Sequence, residues 1–250
     1  AWVGEHHSAG WELISSPELF IAIAAERTKS IKFGTGVISL PYHNPLMTAN
    51  RIIQLDHHTR GRVMFGAGPG ALPSDAAMIG LAPVNMRPRM DEALDCIVPL
   101  LRGETVTKKT DWFELVNARL SVGCYTRPTM EIAVASIRSP AGVSAAGRHG
   151  ASVLVLSGVD DEALKNQVSN WKIYEETCAK HGHKADRRRW SFAIQMHLAE
   201  TREQAKEDLR YGLMDMLHYF HKFGGTLFPK VEDFDKAVDY VATGGYALRA

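Results

Sequence analysis

Cysteine is scarce. There are three, Cys96, Cys124 and Cys178, in 250 residues. The count is odd and no CxxC pair occurs, which argues against a disulfide framework or a structural zinc site. A reducing, cytoplasmic setting fits this usage. No apolar run reaches the ~18 residues a membrane-spanning helix needs. No charged segment leads into an apolar stretch as in a signal peptide. An excess of one charge is also missing: 29 Lys and Arg face 28 Asp and Glu, a formal +1. A protein that coats nucleic acid needs a strong basic excess, so no nucleic-acid partner is expected. The run Lys184, Arg187, Arg188, Arg189 is short and reads as a solvated loop. Three motifs are absent: a strand-anchored GxGxxG with an acidic residue further on, a P-loop, and HExxH. No repeat or low-complexity tract is visible.

What is present is a chain that is 45% hydrophobic, too apolar to be disordered and long enough to bury a large core. Strand and helix signals alternate. Ala1 to Gly4 reads as the end of a buried strand. Ser16-Pro17 and Asn44-Pro45 each pair a good N-cap with proline at the first helical position. Ile31 to Leu40 reads as a strand interrupted by Gly34 and Gly36, and Arg62 to Gly66 as a short one. The helix from Asn44 to about Thr59 is expected to stop at Gly61. Ala67 to Arg87 reads as loop, Met90 to Arg102 as a helix, and residues 104–128 show no clear period. Further strands are expected at Met130 to Ser136, Ser152 to Leu156 and Trp190 to Leu198. Helices are expected from Ser139-Pro140 to Gly150, over 161–181, from Thr201 to Gly224-Gly225, and over Glu232 to Ala242.

This alternation implies a parallel sheet with outer helices. Six strands can be counted. A (β/α)₈ barrel needs eight, and a doubly wound sheet competes with it. The chain has no initial Met and opens inside a strand, so it is expected to be a piece of a longer one.

Glu5-His6-His7 follows the first strand, where barrel side chains face an active site. Neighbouring side chains diverge, so one histidine at most is expected to reach a substrate. Acid–base catalysis, structural hydrogen bonding and metal ligation all remain open for it. Gly34-Thr35-Gly36-Val37 marks either a bulge that serves packing or a close approach of the backbone to a flat ring. Gly66-Ala67-Gly68-Pro69-Gly70 offers a small-residue floor for a ligand. Ser139 is either a plain cap or part of a phosphate site at a helix N-terminus, with Arg138 beside it. Arg87 or Arg89 could anchor a phosphate or simply lie on the surface. His57-His58 reads as a surface pair.

The strings AWVGEHH, KFGTGVISLPYHNPL, QLDHHTRGRVMFGAGPGALPSDA, RPRMDEALDCIVPLLRGE and SPAGVSAAGRHG together resemble the bacterial luciferase-like flavin monooxygenases. Within that family, GPGALPSDA, RMDEALD and TDWF are most similar to the limonene-monooxygenase-like branch. The resemblance covers nearly the whole chain. It implies one TIM-type (β/α)₈ barrel domain over residues 1–250, with its first and last strands outside the chain.

It also implies reduced FMN and dioxygen, a flavin hydroperoxide, and oxygen transfer to a small apolar substrate such as a terpene, ketone, aldehyde or alkyl compound. His6 matches the family's catalytic histidine. Gly36-Val37 matches a strand bulge with a cis peptide behind the flavin ring. Gly68, Val134 and Ala135 match positions beside the flavin, and Arg87, Arg138 and Ser139 match positions at its phosphate. No metal is implied. Gly68 and Pro69 stand where the luciferase α-subunit has a reactive Cys and an Arg, and Arg138 where it has Glu, so light emission is not expected.

A separate flavin reductase and a homodimer are implied as partners, with the Asn44 to Thr59 helix as interface. Trp2, Trp11, Phe65 and Trp112 could wall an apolar pocket, and residues 104–128 and those after Gly158 could set specificity. Two alternatives remain: a deazaflavin-dependent hydride-transfer enzyme, and a non-catalytic flavin-binding partner subunit.

Overall fold

The computed structural model describes residues 1–8, 10, 13–137, 139–156, 161–194, 196–224 and 230–242. Arg138, Trp11, Gly158 and Gly225 therefore lie outside the described residues.

The first part of the chain runs β1 (Trp2–Val3), α1 (Pro17–Glu26), β2 (Phe33–Thr35), β3 (Ile38–Ser39), a 3-10 turn (Leu40–Tyr42), α2 (Pro45–Thr59) and β4 (Val63–Gly68). Next come α3 (Pro73–Met78), α4 (Pro83–Leu101), β5 (Val106–Lys109), β6 (Glu114–Ala118), β7 (Glu131–Ser136), α5 (Pro140–His149) and β8 (Ser152–Leu156). The last part holds α6 (Asp161–Lys180), β9 (Trp190–Ala193), α7 (Arg202–Asp208), α8 (Leu213–Gly224) and α9 (Phe234–Ala242).

Seven strands form one parallel sheet in the order β1-β2-β4-β7-β8-β9, with β3 also beside β4. The expected second strand is thus two short strands, broken at Gly36–Val37, where the peptide is cis. Parallel strands place all their C-terminal ends along one edge, and that edge carries the candidate site residues.

The core joins sheet to helices through Ile21, Ile52, Phe65, Met90, Leu94, Val134 and Val153, all fully buried. Trp2 is set into the sheet by missing side chains. A Cβ on Gly34 would lie 2.2 Å from its indole, and one on Gly66 3.1 Å from it. Packing of Trp2 therefore accounts for Gly34.

Two of the three cap-then-proline helix starts follow the sequence signals, whereas the Ser16 hydroxyl donates to Glu18 and does not cap α1. Asn44 Oδ1 accepts the Leu46 and Met47 amides at 3.0 and 3.3 Å, and Ser139 Oγ accepts the Ala141 amide at 3.2 Å. α2 stops at two left-handed residues, Arg60 with φ 54° and the expected Gly61 with φ 80°, whose amide donates to the Asp56 carbonyl at 3.0 Å.

Four expectations are corrected. The segment read as loop from Ala67 contains the end of β4, the short α3 and the first turn of α4. Residues 104–128 contain the antiparallel hairpin β5–β6. The long helix from Thr201 is split into α7 and α8 by a 3-10 turn at Leu209–Tyr211. The strand at Trp190 ends at Ala193, not Leu198. Among the described residues, no helix is long and apolar enough to cross a membrane, and all three cysteines are free and buried.

Candidate active site

His6 sits on the turn after β1, and its ring is 17% exposed. Its Nδ1 lies 3.2 Å from Oδ2 of Asp75, a residue of α3 that is buried. Asp75 Oδ1 accepts the His7 amide at 3.1 Å and the Ser8 hydroxyl at 2.5 Å. Burial alone would push the Asp75 carboxyl up. The Ser8 hydroxyl, His6 and the His7 amide outweigh it and hold the carboxyl below its ordinary value. An ionised carboxylate only accepts, so His6 carries its proton on Nδ1 toward Asp75. In the neutral ring, Nε2 is then the basic nitrogen.

A second carboxylate lies behind the same turn. Buried Glu5 accepts from His7 Nε2 at 2.9 Å and His43 Nε2 at 2.6 Å on one oxygen, and from the Ser39 amide at 2.6 Å on the other. Burial pushes Glu5 up, but the hydrogen bond and charge of His43, then Ser39 and His7, bring it below its ordinary value. Tyr42 stands between the two groups. Burial, then the charges of Asp75 and Glu5, push its hydroxyl up to about 12, so it stays protonated.

Three of the residues expected beside a flavin come together. Val37 covers Gly68: a Cβ there would lie 2.4 Å from Val37 Cγ2 and 3.5 Å from Ala135 Cβ. These residues form an uncharged, small-residue face at the strand ends. Gly4 links this face to His6, since a Cβ on it would lie 3.5 Å from the Gly36 carbonyl oxygen and 4.0 Å from His6 Cδ2. Ala135 is half-buried, whereas Val134 is sealed in the core.

Arg87, in the first turns of α4, lines a cleft of about 230 Å³ with Gly70, Pro73, Ala76 and Met86. Among the described residues its guanidinium makes no ion pair, and its one polar contact is Met90 Sδ at 3.9 Å. Burial pushes its pKa down and Asp91 opposes this. Ser139 caps α5 and shares no hydrogen bond with Arg87. Gly142 lets α5 sit on the end of β7, where a Cβ would lie 2.5 Å from the Ala135 carbonyl oxygen. Beside it the Ser136 hydroxyl is buried and has no partner among the described residues.

Some candidates are occupied elsewhere. Arg89 lies over the Trp112 ring at 5.3 Å and pairs with Asp111 at 3.6 Å. Trp112 donates to Glu92 at 2.7 Å, Trp2 packs on Gly34, and Phe65 is fully buried, so Phe65 walls no pocket at this edge. His57 is exposed, as expected, and lies 2.9 Å from the Gly123 carbonyl oxygen. The residues missed in the sequence are Asp75, Tyr42 and His43. The strings ALPSDA and LPYHNP held them, but nothing in either string marks its contact with the turn after β1.

The luciferase-like monooxygenase family model matches residues 1–244. Limonene 1,2-monooxygenase of Rhodococcus erythropolis is 44% identical over 99% of this chain and 63% of its own length. 4-Hydroxyprotoasukamycin monooxygenase of Streptomyces nodosus subsp. asukaensis is 47% identical over 90% of this chain and 62% of its own. The chain thus spans less than two thirds of these relatives.

Among solved structures, the oxygenating constituent of 3,6-diketocamphane monooxygenase from Pseudomonas putida, in complex with FMN, superposes with a TM-score of 0.74. It is 27% identical over 89% of this chain and 66% of its own. An F420-dependent secondary alcohol dehydrogenase shares the fold at a TM-score of 0.70 and 20% identity, over 96% of this chain and 72% of its own. The sheet is accordingly of the TIM-barrel type, and the chain belongs to the luciferase-like monooxygenase family.

Proposed function

We propose that the chain is the oxygenating part of a flavin-dependent monooxygenase that uses reduced FMN and dioxygen to oxygenate a small apolar substrate. The observation that carries this reading is the His6–Asp75 pair beside the Val37, Gly68 and Ala135 face.

The residues present fit FMN. The uncharged face suits a flat ring. The part-buried Arg87, which has no ion pair among the described residues, suits an anion, and the capped N-terminus of α5 lies beside the Ser136 hydroxyl, which has no partner among them. Arg87, Ser139 and the neighbouring Arg138 are assigned to the phosphate, and Gly36, Val37, Gly68 and Ala135 to the ring; Val134, buried in the core, is not. Reduced FMN, when bound, supplies the electrons that activate dioxygen for transfer of one oxygen atom. The apolar face excludes water from the reacting centre. His6 holds or moves a proton at Nε2, with its tautomer set by Asp75.

A separate reductase supplies the reduced flavin, because the chain has no nicotinamide fingerprint. The free cysteines agree with work in the cytoplasm. Two copies pair through α1 and α2. α1 is apolar between Glu18, which pairs with Arg51, and Glu26 at its end. Yet Leu19, Phe20 and Ile23 are 68%, 48% and 63% exposed, and Met47 of α2 is 54% exposed.

The deazaflavin alternative rests on a shared fold alone. A non-catalytic partner would have no use for a histidine oriented by a buried carboxylate. The test is an anaerobic titration with reduced FMN and, separately, reduced deazaflavin, followed by air and a panel of terpenes and ketones. Preferential FMN binding and an oxygenated product support the proposal. Binding of the deazaflavin alone, with no product in air, rejects it.

A further inference from the structure

Glu5 joins three segments that the proposed chemistry needs in register, yet that chemistry gives it no task. It is 3% exposed. Its three donors come from the turn after β1 (His7), from β3 two residues beyond Val37 (Ser39), and from the residue after the 3-10 turn (His43). A buried carboxylate is tolerated only when its lone pairs are met by donors, and an ionised one donates nothing. Each contact therefore runs toward Glu5, and both imidazoles carry a proton on Nε2. In their neutral forms, Nδ1 is left as the basic atom on His7 and on His43. His6 has the opposite arrangement, with Nδ1 protonated against Asp75. The adjacent histidines thus present different ring nitrogens, each fixed by its own buried carboxylate.

Two imidazoles and a carboxylate also resemble a metal-ligand set. Here, however, both Nε2 atoms approach one carboxylate oxygen at hydrogen-bond distance, and among the described residues no group of three such side chains has metal-binding geometry. The Tyr42 ring fills the space between, edge-on to His7 at 6.0 Å and tilted to His43 at 6.4 Å.

We propose that Glu5 is a positioning residue: one carboxylate takes the Nε2 protons of His7 and His43 and the Ser39 amide, fixing both tautomers and holding the histidine turn against the Gly36–Val37 strand end. Its catalytic consequence rests on the oxygenase reading above, whereas the tautomers do not depend on it.

Glu5→Gln tests the assignment. The Ser39 amide can only donate, so it keeps the Gln oxygen. The Gln NH₂ then faces both imidazoles and requires each to accept at Nε2. Nitrogen-15 spectra of the imidazoles should show Nε2–H on His7 and His43 in the parent protein, and Nδ1–H on both in Glu5→Gln. Turnover should fall about 100-fold in kcat, with KM within about threefold.

His43→Gln keeps a donor toward Glu5, and should leave His7 protonated on Nε2. That variant carries the test if Glu5→Gln does not fold. Unchanged tautomers in Glu5→Gln, a loss of thermal stability with kcat retained, or a switched His7 in His43→Gln would overturn the proposal. If the parent protein binds no reduced FMN and gives no product, the oxygenase reading fails, and the tautomer switch alone upholds or overturns the assignment of Glu5.

Discussion

Replacing Asp75 by Asn keeps the volume of a side chain that is 2% exposed and removes only its charge. The His7 amide and the Ser8 hydroxyl both donate to Oδ1, at 3.1 and 2.5 Å. A backbone amide cannot reverse its role, so the Asn oxygen stays there and its NH₂ takes the place of Oδ2 beside His6 Nδ1. His6 must then accept at Nδ1 and carry its proton on Nε2. Turning charge-assisted hydrogen bonds into neutral ones costs about 1–3 kcal/mol of stability. For a chain of this size, that lowers the melting point by about 2–4 °C per kcal/mol. Moving the basic nitrogen to the wrong side of the ring removes an acid–base contribution of about 10²–10⁴-fold in kcat, or about 3–5 kcal/mol of barrier. The variant should therefore remain folded and lose turnover far beyond what its stability loss explains. Thermal denaturation, steady-state kinetics with reduced FMN and imidazole nitrogen-15 spectra measure the three quantities. A variant with Nδ1–H still on His6, or with unchanged kcat, would refute the reasoning.

Arg87→Gln should weaken reduced-FMN binding by about 10–100-fold, the worth of a charge-assisted contact, and weaken riboflavin binding little; equal losses for both in fluorescence titrations would remove Arg87 from the phosphate. Gly142→Ala would place a methyl group 2.5 Å from the Ala135 carbonyl oxygen, so the melting point should fall by the equivalent of about 1–3 kcal/mol. An unchanged melting point would mean that α5 can move off β7 freely. Glu5 and Asp75 are both held below their ordinary values. Their stabilisation is therefore complete above the ordinary carboxylate range and is lost as pH falls through the lowered folded-state values. Urea midpoints should be flat from pH 7 to about 5 and fall below that, with a shallower fall in Asp75→Asn; identical slopes would show that Asp75 does not titrate with folding.

The alternating architecture was legible because its strands are apolar runs between clear helix starts. Ser139-Pro140 and Asn44-Pro45 cap as their residue types dictate. The β5–β6 hairpin was not legible, because its strands are half exposed and alternate weakly, with two exposed residues in succession in β6. α3 is six residues long and lies between Pro73 and Gly80, where local signals favour loop. In the site, His6 stood out by its place after a strand. Its partner Asp75 lies 69 residues away, and His43 lies 38 residues from Glu5. Such pairings are made by the sheet, which brings the ends of β1, β3 and β4 to one edge, and no local pattern encodes them. Trp2 reads as a pocket wall in the sequence, but glycines on two neighbouring strands make room for it inside the sheet.

The most direct test of the account uses isotopically labelled dioxygen. The protein, reduced FMN from an added reductase and a small terpene or ketone substrate are combined, and the product is weighed by mass spectrometry. An oxygenase that transfers one atom of dioxygen should give one labelled oxygen atom per product molecule, with the yield collapsing in His6→Ala. Product that carries only oxygen from water, or equal labelled yield from His6→Ala, would contradict it.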